Sequence, residues 1–462
     1  MTPDQAVTAA ASAAAGWAGT PPAARAEALE AVAAALEAAR AELVALAAAE
    51  SHLPDARLNG ELTRTTFQLG LFAELVREGA LHDARIDRPD PGWPTGPRPD
   101  LRRYRAPIGP VLVFAASNFP FAFSVAGGDT AAALAAGCPV VVKAHPGHPR
   151  LSRRTAEIVA KALPEGVFGL VEGEAEGVEA LRHPALAAAA FTGSERGGLA
   201  LARIAAERPV PIPFYGELGS VNPVVVTPRA AAARGREIAE GYVGSLTLGA
   251  GQFCTNPGLL FAPASLVEHL TPLVAGAPAA PMLNERIAAG FVDTAAALAE
   301  RPGVRRVVWP EDVLRPRLLT MELAAFRADE GAARECFGPL GLVVTYDDLA
   351  DVADAVAALP GQLTASLHAE PDEAADLAAL AATLVDRSGR VLWNQWPTGV
   401  SVTSAMQHGG PFPATTAPLT TSVGTAAVER FLRPVAFQNW PPELLPEPLR
   451  DDNPWNVPQR TG

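Results

Sequence analysis

The stretch Pro107–Pro146, PIGPVLVFAASNFPFAFSVAGGDTAAALAAGCPVVVKAHP, decides how this chain folds. Val111–Ala115 is a short, unbroken apolar run, the pattern of a strand buried on both faces. Phe123–Cys138 is rich in alanine, the best helix former, and predicts a helix. Pro139–Pro146 opens on a second apolar run, PVVVK, again strand-like. The alternation then continues: Ser152–Leu163 predicts a helix, Val167–Gly173 a strand, Glu176–Pro184 a helix, and Leu186–Ser194 a strand and turn. Strands alternating with helices in this way predict an α/β fold with a parallel sheet covered on both faces. Such sheets take ligands beyond the carboxyl ends of their strands. The polar residues to watch are therefore Ser117, Asn118, Lys143, Thr192 and Ser194.

Outward from this stretch, residues 1 to about 85 predict helices. Arg88–Asp100 (RPDPGWPTGPRPD) holds too much proline and glycine for a regular element. A second α/β region begins near Val221 and runs to about residue 425. The tail from Phe431 carries seven prolines and two tryptophans. It predicts an extended arm lying on another surface, such as that of a neighbouring subunit, with a frayed tail as the alternative.

The chain has 462 residues and a formal charge of −13, which argues against a nucleic-acid partner because that needs a concentrated basic face. No apolar run reaches the roughly 18 residues of a membrane span. The N-terminus carries Asp4 and no basic n-region, so it reads as a helix start rather than a signal peptide. Three cysteines, Cys138, Cys254 and Cys336, are too few for a disulfide framework, and a cytoplasmic setting is expected.

Cys254 sits in GAGQFCTNPG (Gly249–Gly258), between a predicted helix ended by glycines and a following strand. A tight connection of this kind aims a side chain into a cleft with little freedom. Glu217, in FYGELGSVNP, is held between glycines and is a candidate general base. Asn118, in SNFPF, ends a predicted strand, where its amide could donate to an oxyanion. ECFGPLG (Glu335–Gly341) is by itself a turn. Cys138 and Cys336 read as structural.

Taken in order, SNFPF, KAHP, FTGS, GELGSVNP, GQFCTNPG and ECFGPLG resemble the aldehyde dehydrogenase superfamily over about residues 100 to 425. With PTGVSVTSAMQHGGPFPATT (Pro397–Thr416), the set resembles the 2,5-dioxovalerate (α-ketoglutarate semialdehyde) dehydrogenases and the related NADP-dependent fatty aldehyde dehydrogenases. The resemblance implies a variant Rossmann cofactor domain built from residues 1–88 and 108–220, and a catalytic domain over 221–425. Segments 89–107 and 426–462 would bridge subunits of a homodimer or homotetramer. It implies that Cys254 attacks the aldehyde, that Asn118 and the Cys254 N–H hold the oxyanion, and that Glu217 activates the water that releases a thioester. A rival, a coenzyme A-acylating enzyme, has no need of Glu217; a catalytically silent binding protein on this fold is the rival of another class. A free cysteine has a pKa of about 8.5, and a helix C-terminus disfavours thiolate. The oxidised nicotinamide is the cation expected to compensate.

For the cofactor, the chain has no G-x-G-x-x-G. The resemblance assigns Lys143 to the adenine ribose, Gly193, Ser194 and Gly198 to the pyrophosphate, and Glu335 and Phe337 to the nicotinamide half. Pro146 stands where NAD-preferring relatives often carry glutamate. From Lys143 to Arg154 there is no acid, but His145, His148, Arg150, Arg153 and Arg154 are present, which predicts NADP over NAD. No metal is expected. Phe119, Phe123, Phe253, Trp396, Val400 and Phe412 are expected to line the substrate tunnel. Arg64 shares a helical face with Gln68 and Phe72 and is a candidate anchor for a substrate carboxylate, an ordinary exposed arginine being the alternative.

Overall fold

In the computed structural model, which describes residues 1–462, the predicted alternation forms a five-stranded parallel sheet. Its strands lie in the order Phe168–Val171, Val140–Lys143, Val111–Phe114, Ala188–Thr192, Phe214–Glu217. The strand that comes first in sequence is central, and the chain winds outward from it in both directions. The order therefore reverses beside Val111–Phe114, which opens a crevice at the strand ends that carry Asn118 and Gly193. Every residue of Val111–Phe114 and Val140–Lys143 is buried, as their unbroken apolar patterns require.

Helices Pro22–Ala38 and Asp55–Glu78 pack against each other and, through helix Gly128–Ala136, against this sheet, in one core of 44 buried residues. Helix Gly128–Ala136 is buried on all sides, and its small side chains allow that. Arg25 is fully buried beneath it. Its guanidinium donates to the carbonyls of Ala135, Ala18 and Thr20, satisfying helix-end acceptors that would otherwise be orphaned.

The helix predicted over Phe123–Cys138 begins only at Gly128. Residues 118–127 instead form turns, because the buried carboxylate of Glu61 accepts the N–H groups of Phe121 and Ala122 at 2.8 and 2.9 Å. Alanine content could not reveal that long-range competitor.

The second α/β region holds a seven-stranded sheet in the order Arg305–Val308, Arg317–Glu322, Leu340–Thr345, Leu259–Ala262, Val224–Val226, Gln362–His368, Ser388–Trp393. Only the Arg305–Val308 edge is antiparallel. A third sheet places Leu432–Gln438 antiparallel to Leu101–Pro107, followed by Ala84–Asp87 and Gln459–Thr461. After Gln438 the tail returns to its own chain. Trp455 meets His82 at 5.5 Å between ring centres, and Leu445, Leu449 and Val457 form a small core with Ala84. Cys138 is buried beside the Phe431 carbonyl, and Cys336, half-buried, lies near the Phe291 carbonyl.

Candidate active site

Glu217 ends its strand and is buried. Helix Pro228–Thr247 runs towards the cysteine loop and stops in a tight turn, with Gly249, Ala250 and Gly251 at φ of 56°, 56° and 69°. Ala250 carries a Cβ in the left-handed region, a conformation that costs energy and persists only when the surroundings enforce it. Gly251 could not be anything larger, since a Cβ there would overlap the Gly338 carbonyl. Asn222 and Asn256 lock the loop that follows. Asn222 Nδ2 donates to the carbonyls of Cys254 and Asn256 at 2.8 and 2.9 Å. Asn256 Nδ2 donates to those of Gly251 and Gly338 at 2.6 and 3.1 Å. The cysteine loop is thereby tied to the Glu335–Gly341 turn.

Three segments converge on the sulfur. Cys254 Sγ lies 3.5 Å from His408 Nε2, and His408 Nε2 lies 2.8 Å from Glu217 Oε1. Glu217 Oε2 accepts from the Ser422 hydroxyl at 2.6 Å. His408 is held by its backbone, its N–H donating to Thr421 Oγ1 at 2.9 Å. Sequence reading missed His408, although it stands in the quoted stretch MQHGGPF. A histidine in an irregular loop has no periodicity to single it out, and only the fold brings residue 408 beside residues 217 and 254.

Asn118 Nδ2 donates to the Gln252 carbonyl at 3.1 Å, which aims the amide at the cysteine loop. An amide has two N–H donors, so one remains for a substrate oxygen. Arg57 Nη2 donates to the Asn118 carbonyl at 2.7 Å and fixes that residue from behind.

Burial raises the Cys254 thiol well above its ordinary range, and the Glu217 carboxylate raises it further. For Glu217 burial also works upward, but the neighbouring His408 ring and the hydrogen bond from Ser422 outweigh it and hold the carboxyl low. In the resting site the base is therefore ionised while the nucleophile is a neutral thiol.

The aromatic residues divide. Phe119, Phe123 and Phe253 meet edge to face, with ring centres 5.3 Å apart in both pairs that Phe119 makes. Phe123 also lies 6.3 Å from His408. Trp396 stacks 4.3 Å from His368 and 5.6 Å from Tyr242, in the packing of helix Pro228–Thr247. Phe412 is 61% exposed, and Val400 is half-buried.

Arg64 is not an ordinary exposed arginine. It lies over the Phe123 ring at 5.2 Å, and its Nη1 is buried without a hydrogen-bond partner. Burial lowers its pKa, while Glu61, Cys254 and Glu217 lie near enough to act on it electrostatically. Arg57, over Phe119 and Phe253 at 5.1 and 4.8 Å, also has an orphaned buried Nη1. Buried donors without acceptors are costly, and two of them stand beside one aromatic wall.

The crevice suits a dinucleotide. Lys143 is buried and has no ion-pair partner, and burial lowers its pKa. Ser194 caps helix Glu195–Ala206, accepting from the Gly197 N–H, and a helix N-terminus is a favourable place for an anion. Gly193 packs on the Phe191 ring, and a Cβ at Gly198 would overlap Leu218. Glu335 lies against Gly219, where a Cβ would collide with its carboxylate, and burial pushes its pKa up to about 7. Phe337 lines the same cavity as Ser220, Phe253 and Glu335. His145 accepts the Gly147 N–H at 3.0 Å and packs on His148, and burial depresses its pKa to about 3. Of the basic run, Arg153 is paired with Glu172, and Arg154 with Glu42 and Glu157. A cation remote in sequence, Arg286, is instead near enough to act on Lys143 and His145, and lies 3.4 Å from Glu174.

Comparison with known proteins agrees with this geometry. The family model described as the aldehyde dehydrogenase family matches residues 2–285. The chain is 47% identical over 460 residues to an alpha-ketoglutaric semialdehyde dehydrogenase 2 of Azospirillum brasilense, covering 95% of this chain and 87% of that one. It is 43% identical over 452 residues to an alpha-ketoglutaric semialdehyde dehydrogenase of Acinetobacter baylyi, covering 94% and 85%. Its fold matches the crystal structure of a methylmalonate-semialdehyde dehydrogenase from Oceanimonas doudoroffii with a TM-score of 0.80 at 20% identity, over 95% of this chain and 90% of that one. The chain belongs to the aldehyde dehydrogenase family.

Proposed function

We propose that the enzyme oxidises 2,5-dioxopentanoate, or a closely similar semialdehyde, to the carboxylic acid, 2-oxoglutarate in the first case. The observation that carries this reading is the convergence of Cys254 Sγ, His408 and Glu217, with ligating atoms all within 4.8 Å of one another, in a site walled by buried arginines. The two relatives above, named for this substrate, support it.

The Cys254 thiol proton is released to solvent by way of Glu217, which is left ionised again, and the sulfur attacks the aldehyde carbon. The alkoxide that forms on the substrate oxygen is met by the free N–H of Asn118. Such a donor contributes about 3 kcal/mol. Lys143, Ser194 and Glu335 would hold a nicotinamide cofactor, which would supply the hydride acceptor. Glu217, ionised and anchored by Ser422, then takes a proton from the water that hydrolyses the thioester on Cys254. Arg64 anchors the far carboxylate of the substrate.

For the nucleotide we propose NADP in preference to NAD. The support is the lack of an acid from Lys143 to Arg154, together with Arg286 near Lys143, set against Glu174 and Glu176, which also act on Lys143. Because Arg153 and Arg154 are already paired, the expected discrimination is modest. The aromatic trio favours a second reading, a medium- or long-chain aliphatic aldehyde. A panel of aldehydes of varied length and terminal charge, each assayed with NAD and NADP, tests all three readings. Higher kcat/KM for hexanal or decanal than for 2,5-dioxopentanoate would replace the semialdehyde, and a clear preference for NAD would remove the nucleotide reading.

A further inference from the structure

The catalytic cluster has the composition and spacing of a soft-metal site. Cys254 Sγ, His408 Nε2 and a Glu217 oxygen come from three separate segments and all lie within 4.8 Å of one another. Tetrahedral zinc takes sulfur at about 2.3 Å and imidazole nitrogen at about 2.0 Å, which sets their separation at about 3.5 Å. The Sγ···Nε2 distance here is 3.5 Å. Carboxylate and imidazole ligands need about 3.3 Å between them, against 2.8 Å here, so a slight opening of the Glu217 contact completes three ligands.

We propose that Zn²⁺ binds Cys254, His408 and Glu217 and reversibly inhibits the enzyme, in competition with the aldehyde. The proposal rests on the reading of these residues as the active site. On binding, the Cys254 proton passes to solvent and a sulfur–zinc bond forms. A proton on His408 Nε2 moves to Nδ1, and nothing is oxidised or reduced. The structure also says why zinc is an inhibitor here and not a resident cofactor. Ligating histidines ordinarily hold a partner on their second nitrogen, and its loss costs about 10–100-fold in affinity. His408 Nδ1 is buried with no partner. The cations Arg64 and Arg390 also lie near enough to act on the Cys254 sulfur.

The test uses the full-length enzyme without added cofactor. Co²⁺ is titrated into the protein and into a Cys138→Ala/Cys336→Ala variant, and thiolate-to-cobalt charge-transfer absorption is followed. Zn²⁺ affinity is measured in parallel against a chromogenic chelator. The expected result is one metal per chain with that absorption in both proteins. His408→Gln and Cys254→Ser should weaken zinc binding by more than about 100-fold, beyond what the loss of a supporting partner costs. Zinc should also protect Cys254 from alkylation until EDTA is added. No charge-transfer band, or unchanged zinc affinity in His408→Gln, overturns the proposal. These readouts need no turnover, so an enzyme that binds zinc here yet fails to oxidise the semialdehyde would refute the substrate reading alone.

Discussion

Replacing Arg64 with methionine tests the substrate assignment most directly. Methionine keeps an unbranched apolar stem against Phe123 and removes the guanidinium, whose Nη1 has no partner in the protein. No internal hydrogen bond is lost at that atom, so the fold should tolerate the change. If Arg64 holds the substrate carboxylate, the variant loses one charged hydrogen-bonded contact. Such contacts contribute about 1.5–3 kcal/mol, or about a 10- to 150-fold change. The measurement is kcat/KM for 2,5-dioxopentanoate against kcat/KM for pentanal, which has the same carbon count and no carboxylate. The expected outcome is a fall of that size for the semialdehyde, mostly in KM, with pentanal changed less than about threefold, well inside that contact energy. An equal fall for both substrates would mean that Arg64 only supports the site through Glu61 and the 118–127 turns. No fall for either would remove it from recognition altogether.

Four further outcomes follow from the same geometry. Glu217→Gln should leave a rapid first turnover of nucleotide reduction and slow the steady state by about 10²–10⁴-fold, with acyl-enzyme visible by mass spectrometry; an unchanged steady state would exclude Glu217 as the base. Because burial and Glu217 hold Cys254 as a thiol, iodoacetamide should modify the cofactor-free enzyme slowly at pH 7 and faster as pH rises, and the oxidised nucleotide should accelerate the reaction at pH 7; equal rates with and without nucleotide would refute the compensation. Burial holds Glu335 near pH 7, so it is ionised above that pH and protonated below it. Nucleotide affinity by calorimetry should weaken as pH falls through 7, and Glu335→Gln should flatten the profile. Gly251→Ala places a Cβ on the Gly338 carbonyl at a φ of 69°, and should destabilise the fold by at least about 1–3 kcal/mol, read as a lowered Tm.

Local patterns in the chain specify much of this molecule. The short apolar runs Val111–Phe114 and Val140–Val142 read as strands covered on both faces, and their alternation with helices predicts a parallel sheet with ligands at its carboxyl edge. Cys254, Glu217 and Asn118 were legible because each stands in a short stretch whose glycines and prolines restrict the backbone, and because the stretches occur in a family order. What the sequence did not disclose depends on contacts between distant residues. His408 gains its role from a 2.8 Å approach to Glu217, 191 positions away, since the separation is 408 − 217. Arg153 and Arg154 read as free cations until the fold brings Glu172 and Glu42 to them. Trp396 packs on His368 and Tyr242, contacts that no local pattern displays. Backbone preference and hydrophobic periodicity act over a few residues and can be read along the chain. Ion pairing, desolvation and the convergence of ligating atoms act through space, and they take their values only once the sheets have packed.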